Sequence, residues 1–437
     1  MSPAFPQLPL FSWPAFEPVP PSALHYVPIL LDWSGELNAL ESTPAAILDR
    51  MTPLIQVAPS AIKTLELGRW ARGRVRHIGA VLGRRPIYLD LLVSARSVGP
   101  LFEIVLDEAR RAGLTFVPVH SVGTGSLGAA AASVVQDGRG VAIRYRAGTT
   151  VSIGGRTVGD TLKVECDRLG ATPSDVDLIV DLGWMRPGSQ MTAADLTSFL
   201  DDALAPGPWR NVIVAGTPVP RSLTEVGITE GSFGFIPRLE WLLWNDLHRS
   251  RPERIVYADY GIQSPKTPDK SKSGPGRANI RYTTPEAVLA LRGVGAFNQL
   301  APEVRVQQYQ ELSRRLVENP VFNGRACCSA DLTVELCAEG QISPTSQTVW
   351  RRVGTTHHFA QVVGQLRALE AQEVAASTRS TAVEPRPGRA TRRSSTRRPE
   401  PTKPAPTRER RRTSLCLRRW IGGAGRYFVP DPEARLA

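Results

Sequence analysis

Apolar residues recur along the chain in short, β-branched-rich runs, and stretches of helical spacing lie between them. The runs are Tyr26–Leu31, Pro53–Val57, Pro86–Leu92, Phe116–Ser121, Val141–Arg146, Val176–Leu182, Asn211–Gly216 and Arg254–Tyr260. Helical spacing fills Ala61–Leu82, Leu101–Ala112, Ala193–Leu204 and Leu239–Leu247. Apolar positions three and four apart line one side of a helix, whereas strict alternation lines one face of a strand. Ser60 and Thr192 stand where N-caps stand, and Thr172-Pro173-Ser174 precedes the sixth run. Strands alternating with helices in this way predict parallel strands joined by crossover helices.

Eight runs between residues 26 and 261 give the count and span of a (β/α)8 barrel, typically about 250 residues long. A doubly wound open parallel sheet is the alternative built from the same elements. Polarity favours the barrel. Strands of an open sheet covered on both faces read as near-continuous apolar runs. Here Asp90, His120, Arg144, Asp181 and Asp259 stand near the C-terminal ends of their runs. The neighbouring positions are apolar: Leu89 and Leu91, Val117 and Val119, Val141 and Ile143, Val180 and Leu182. One face toward helices and one toward a polar-mouthed lumen fits a closed ring. The expectation is that all five charged side chains point inward at the mouth.

Residues 262–276 read as a polar loop. A strand is expected at Ala278–Tyr282, a helix near Val304–Leu316, short strands at Cys328–Glu335 and Thr348–Trp350, and a helix at Phe359–Leu369. His357 and His358 are adjacent, and adjacent residues on a helix point different ways, so both cannot face one metal. One is expected to cap the helix and the other to reach a ligand or a backbone group. The layout is a Pro-rich segment over 1–25, a barrel over 26–262, an α+β extension over 263–370 packed on the barrel, and a disordered basic Pro/Arg-rich tail over 371–437.

Composition changes this picture in one place. The chain has 437 residues and a net charge of +12. Residues 371–437 carry 16 Lys+Arg against 6 Asp+Glu, which leaves 37 against 35 for the rest. The body is close to neutral and the tail is strongly basic, so the high pI says nothing about the body's ligand. Few apolar residues in the tail mean little buried area to offset its ordering entropy. Its expected partner is nucleic acid, bound without sequence preference through 379–419 by counterion release. Five Cys in the whole chain exclude a disulfide scaffold. No apolar run approaches the roughly 20 residues of a spanning helix, and prolines break every apolar stretch before residue 25, so neither a membrane partner nor a signal peptide is expected. A cytoplasmic location is the default, and the sequence sets no oligomeric state.

Unpaired charges in a narrow lumen are costly, so the inward groups should pair with each other or with a ligand. Asp181 and Asp259 are candidate bases or metal carboxylates, and His120 or His358 a candidate proton carrier. Arg144 and Arg281 are candidate anion holders, because guanidinium forks match phosphate. Asp90 joins the ligand-facing set. No H-x-H or H-E-x-x-H spacing is present, so no metal ligands are assigned, although the carboxylates leave a divalent metal open as cofactor. Gly123-Thr124-Gly125-Ser126-Leu127-Gly128 matches G-x-G-x-x-G, but the next run ends in Arg144 and Arg146 instead of the acid that would hold a ribose. It is read as a flexible loop between strand and helix. Cys327, Cys328 and Cys337 cluster without a C-x-x-C pair and are read as small buried hydrophobes.

In order along the chain, Tyr26-Val27-Pro28-Ile29-Leu30, Gly35-Glu36, Thr52-Pro53-Leu54-Ile55, Gly140 through Arg144, Asp177 through Asp181, Asn211 through Gly216, Tyr257-Ala258-Asp259-Tyr260-Gly261, Ile280-Arg281-Tyr282 and Trp350 through His358 resemble the uncharacterised beta protein family of phages and bacteria. The similarity spans about 26–369. It implies one barrel-like body that includes the extension, a phage- or mobile-element-related setting, and no known activity. Leu31-Asp32-Trp33-Ser34 stand where the family often has a basic residue before Gly-Glu. The family motifs add Glu36 and Tyr257 to the ligand-facing candidates. Two readings follow. In one, the barrel binds or hydrolyses a phosphate-bearing or other anionic small ligand at its mouth. In the other, it is a non-enzymatic, mobile-element-associated interaction protein tethered to nucleic acid by its tail.

Overall fold

The computed structural model describes residues 24–58, 66–92, 98–147, 156–188, 192–251, 255–265 and 276–381. The eight apolar runs form the strands of a barrel: β1 (Tyr26–Leu31), β2 (Leu54–Val57), β3 (Ile87–Leu91), β4 (Phe116–Ser121), β5 (Val141–Arg146), β6 (Val176–Trp184), β7 (Asn211–Thr217) and, after an excursion through β8 (Phe233–Pro237), β9 (Ile255–Asp259). All are parallel, and β9 pairs with both β7 and β1. The last pairing, Tyr26 with Tyr257 through Pro28 with Asp259, closes the ring and excludes the open sheet.

Helices follow the strands: α1 (Ser34–Glu41) and the short α2 (Ala45–Leu48), then α3 (Leu67–Leu82), α4 (Val98–Arg111), α5 (Leu127–Asp137), α6 (Val158–Leu169), α7 (Ala193–Leu204) and α8 (Leu239–Ser250). Local chemistry sets their limits. In α3, Ala71, Val75, Ile78 and Leu82 make a buried stripe, and Gly83 ends it at a φ of 61°. Thr192 and Asp195 form a reciprocal capping box at the start of α7.

The extension has a core of its own and also completes the barrel. β8, β10 (Asn279–Thr283) and β11 (Ala287–Arg292) form an antiparallel sheet in the order β10-β11-β8. With α9 (Pro302–Val317) and α10 (Ser329–Ala338) they enclose Ile280, Tyr282, Leu289, Tyr309, Leu316 and Val334. The last helix, α11 (Gln347–Thr381), takes the eighth outer position. Its Phe359, Val362, Val363 and Leu366 join the core between strands and helices, and the Phe359 ring meets Tyr26 edge-on at 6.3 Å.

Four expectations need correction. Cys328–Glu335 is not a strand, because Ala330, Asp331, Val334 and Cys337 bury one helical face of α10. Thr348–Trp350 and Phe359–Leu369 belong to the single helix α11. That helix continues to Thr381, past the 371 boundary set for the tail. β8 and β11 went unread: β8 carries Gly234 and Pro237, exposes Phe233 and Phe235 about half-way, and sits at a sheet edge where proline is tolerated. The Pro-rich segment up to residue 23 lies outside the described residues, as does everything after 381, including nearly all of the 379–419 segment. Among the described residues, no helix is long and apolar enough to cross a membrane.

Phe359→Ala should lower stability by about 3–5 kcal/mol in urea unfolding, as deletion of a buried aromatic ring does. Val135→Ala, at a site 60% exposed on α5, should change it by no more than about 0.5 kcal/mol.

Candidate functional site

The lumen is apolar in the middle and polar at both ends. Val27, Ile29, Leu54, Val119, Ile179 and Ile213 are among the side chains that fill its centre. Below them Asp177 accepts from Tyr88 Oη at 2.9 Å, from Arg210 Nη2 at 2.6 Å and from Asn211 Nδ2 at 2.7 Å. At the opposite end, where the strands reach their C-termini, Arg144 is the centre. Its Nη1 donates to Asp90 Oδ2 at 2.6 Å, its Nη2 to Asp181 Oδ2 at 2.8 Å and to Tyr260 Oη at 2.6 Å. Tyr260 Oη in turn donates to Asp181 at 2.7 Å, and Gln56 Nε2 donates to Asp90 at 3.1 Å. The side chains of Arg144, Asp90 and Asp181 are at most 3% exposed.

Burial opposes ionisation of Asp181, yet the charges of Arg144 and Arg146, the Tyr260 hydroxyl and the Gly183 amide together hold it below the usual carboxylate range. The same acids keep Arg144 protonated despite full burial. This rim layer joins three of the five predicted side chains and closes them on one another.

His120 and Asp259 do not share that space, which corrects the inward expectation for both. His120 lies on the outer face of β4, bonded to Ser126 Oγ through Nδ1 at 2.9 Å and to Glu165 Oε2 of α6 through Nε2 at 2.9 Å. Those bonds, with Thr124 Oγ1 to the Ser121 carbonyl at 2.6 Å, pin the Gly123–Gly128 loop that was read as flexible. Asp259 also faces outward, toward α11. It accepts from Tyr26 Oη at 2.5 Å, Tyr257 Oη at 2.8 Å, His358 Nε2 at 2.8 Å and the Gly261 amide at 2.8 Å. Burial works against the Asp259 carboxylate, but His358 and Tyr26 keep it below the ordinary range. Tyr257 belongs to this outer network, not to the mouth. Glu36 is buried in the first turn of α1.

Sequence reasoning missed the partners that complete the outer network. Arg238 Nη2 donates to Tyr257 Oη at 3.1 Å, and Arg238 Nε lies 3.3 Å from Glu240 Oε1. Burial pushes the Glu240 carboxyl up to about 7, against the pull of Arg238. An Arg and a Glu two residues apart at the start of a helix read as surface residues, and it is tertiary packing against β9, the turn after β10 and Gln365 of α11 that hides them.

Two further groupings lie in the extension. Arg281 and Arg351 share a pocket beside Ile262 and Gln263, just past β9. Cys327, Cys328, Asp331 and His357 bring four atoms of the metal-binding type within 4.8 Å of one another. Spacing could not reveal the second grouping, because its members come from a loop, α10 and α11. It also shows His357 and His358 serving different neighbours, as their adjacency requires.

The family model described as Beta protein matches residues 26–364. Among solved structures, the crystal structure of the HMG-CoA lyase from Brucella melitensis overlays with a TM-score of 0.32 and 12% identity, covering 80% of this chain and 99% of that one. No curated protein matches the sequence.

Arg144→Met leaves Asp90 and Asp181 buried without their countercharge and should cost about 3–5 kcal/mol near neutral pH. In the wild type, the lowered Asp181 contributes stability above about pH 4 that is lost on acidification. In the variant that sign reverses, so urea unfolding at falling pH should show the gap narrowing. Glu240 acts oppositely: its raised folded value makes its contribution complete below about 4.5 and lost as pH rises to about 7. Glu240→Gln should flatten the melting temperature across that window.

Proposed function

We propose that this chain, which belongs to the Beta protein family, binds a phosphate-bearing or other anionic small ligand in a pocket of its C-terminal extension, just past the C-terminal end of β9. The observation that carries this reading is a pair of guanidinium groups, Arg281 and Arg351, lining one small polar pocket with no carboxylate on its wall among the described residues. The pocket has about 80 Å³, which suits a single phosphate-sized group. Arg281 donates Nη1 to the Ile262 carbonyl at 2.6 Å, while its Nε is buried with no partner. Arg351 lies over the Trp33 ring at 5.2 Å, and Gly35 makes room for it: a Cβ there would stand 3.0 Å from Arg351 Cδ.

Burial and the charge of Arg351 together pull Arg281 down to about 10. Two like charges held together with no carboxylate on the pocket wall among the described residues repel each other, and an anion relieves that repulsion. Guanidinium forks match phosphate oxygens, and the side-chain amides of Gln263, Asn279 and Gln347 offer further donors. The reading is binding, without hydrolysis. Asp181, Asp259, His120 and His358, the groups expected to carry proton transfer, do not line this pocket and are engaged by other side chains.

Calorimetric titration with inorganic pyrophosphate, and then with ADP, tests the proposal. Saturable binding that weakens with salt is expected. Arg281→Gln and Arg351→Gln should each weaken it tenfold or more, while Arg85→Gln, whose pair with Asp49 lies at the surface, should not. No binding by the wild type, or equal binding by all three variants, would overturn it.

A further inference from the structure

We propose that Cys327, Cys328, Asp331 and His357 form a binding site for a thiophilic divalent cation, zinc foremost, within the C-terminal extension. His357 Nε2 lies 2.8 Å from the Thr283 carbonyl, which can only accept, so Nε2 carries the proton. The Tyr282 ring stacks on the imidazole at a centroid distance of 3.7 Å and fixes its plane. In the neutral ring Nδ1 is then a lone pair, and it faces Asp331 Oδ2 at 3.0 Å. A carboxylate oxygen and an imidazole lone pair at that distance repel unless something positive lies between them. A proton or a metal ion can fill that role.

The surroundings favour the metal. Tyr282 Oη donates to Asp331 Oδ1 at 2.8 Å and itself accepts from the Asn323 amide at 2.8 Å, which leaves Oδ2 for the cluster. Orientation of a ligating carboxylate by a hydroxyl, and of a ligating imidazole by a carbonyl, is the outer shell that metal sites use. Cys328 Sγ stands 3.0 Å from the same Oδ2. Cys328 stands immediately before the first turn of α10. Two sulfurs, one imidazole and one carboxylate match zinc and not magnesium or calcium, which take oxygen donors.

The four donor atoms lie within 4.8 Å of one another. Ligands of tetrahedral zinc stand roughly 3.3–3.8 Å apart, given bonds of about 2.0–2.3 Å, so binding opens the two 3.0 Å contacts of Asp331 Oδ2 slightly and closes the wider pairs. Cys327 is exposed at the outer edge of the cluster. Four protein ligands make a closed, structural centre. It would clasp the loop before α10 to α10 and α11.

The test strips the reduced full-length chain with chelator and titrates it with Co²⁺. Expected is one equivalent bound, with near-ultraviolet thiolate-to-cobalt charge-transfer absorption, the visible bands of a four-coordinate ion, and displacement by Zn²⁺. Cys327→Ser and Cys328→Ser should each diminish the charge-transfer band, whereas Cys337→Ser should keep it. Tyr282→Phe keeps every ligand and should weaken cobalt binding about 10- to 100-fold. A folded wild-type chain that binds no cobalt, or binds it without the thiolate band, overturns the proposal. The cluster would then be an imidazolium–carboxylate pair beside two protonated thiols.

Discussion

Closing eight strands into a ring removes water from whatever their inner faces carry, and the architecture rests on how this chain meets that constraint. Arg144 is the clearest case. A guanidinium with no exposed side-chain surface would be forbidden alone, since desolvating a lone charge costs several kcal/mol or more. It is allowed because Asp90 and Asp181 reach it from strands on either side, with Tyr260 filling the remaining gap. Asp177 with Arg210 and Tyr88 repeats the solution at the other end. Between the two layers the lumen is apolar. Such layers add less to stability than an apolar filling could, but a shift of strand register would strand a charge, so they favour one register over others.

The same constraint operates outside the ring, where it joins the extension to the barrel. Tyr26 from β1, Asp259 and Tyr257 from β9, Arg238 and Glu240 from the start of α8, and His358 from α11 form one buried polar network. Thr283 of β10 accepts or donates at His358 Nδ1 from the other side, at 2.8 Å. Apolar packing of Phe359 holds α11 against the strands, and the His358 contact fixes how far along them it sits. An eighth helix delivered more than eighty residues after the eighth strand therefore belongs to the barrel as fully as those that follow their strands directly.

All eight barrel strands were legible in the sequence, because each is a buried, β-branched-rich run bounded by polar turns. Facing was legible only in part. In β4 both alternations are apolar up to His120, so nothing in Phe116-Val117-Pro118-Val119 says which side is which. Charge alone suggested that Asp259 points inward. Lateral pairing forbids it: Asp181 pairs with Ala215, Ala215 with Ala258, and Ala258 with Val27. Paired residues of neighbouring strands share a face, so Asp181 inward sends Asp259 outward. Residue size held the missing signal on β4 and β9, although Tyr88 and Tyr260 also enter the lumen. Ala142, Ala215 and Ala258 line the crowded lumen, while Tyr26, Phe116 and Tyr257 lie in the roomier layer under the helices. Arg281 was named as an anion holder, but its pairing with Arg351 and the Cys-Asp-His cluster were beyond any such reading, since each unites elements far apart in the chain.

Those two sites share their foundations. Arg281, Tyr282 and Thr283 are consecutive on β10, and Arg351, His357 and His358 lie within two turns of α11. The helix can serve both only if it lies directly on the strand, and Gly354 sets that distance. A Cβ there would stand 2.5 Å from Ile262 Cδ1 and 2.8 Å from the carbonyl oxygen of Arg281. The isoleucine tip could move, but the carbonyl belongs to a strand paired along its length with β11. Any side chain at 354 would therefore lift α11 between Arg351 and His357. The guanidinium pair and the His357 cluster would loosen together, although neither contains the residue that changed.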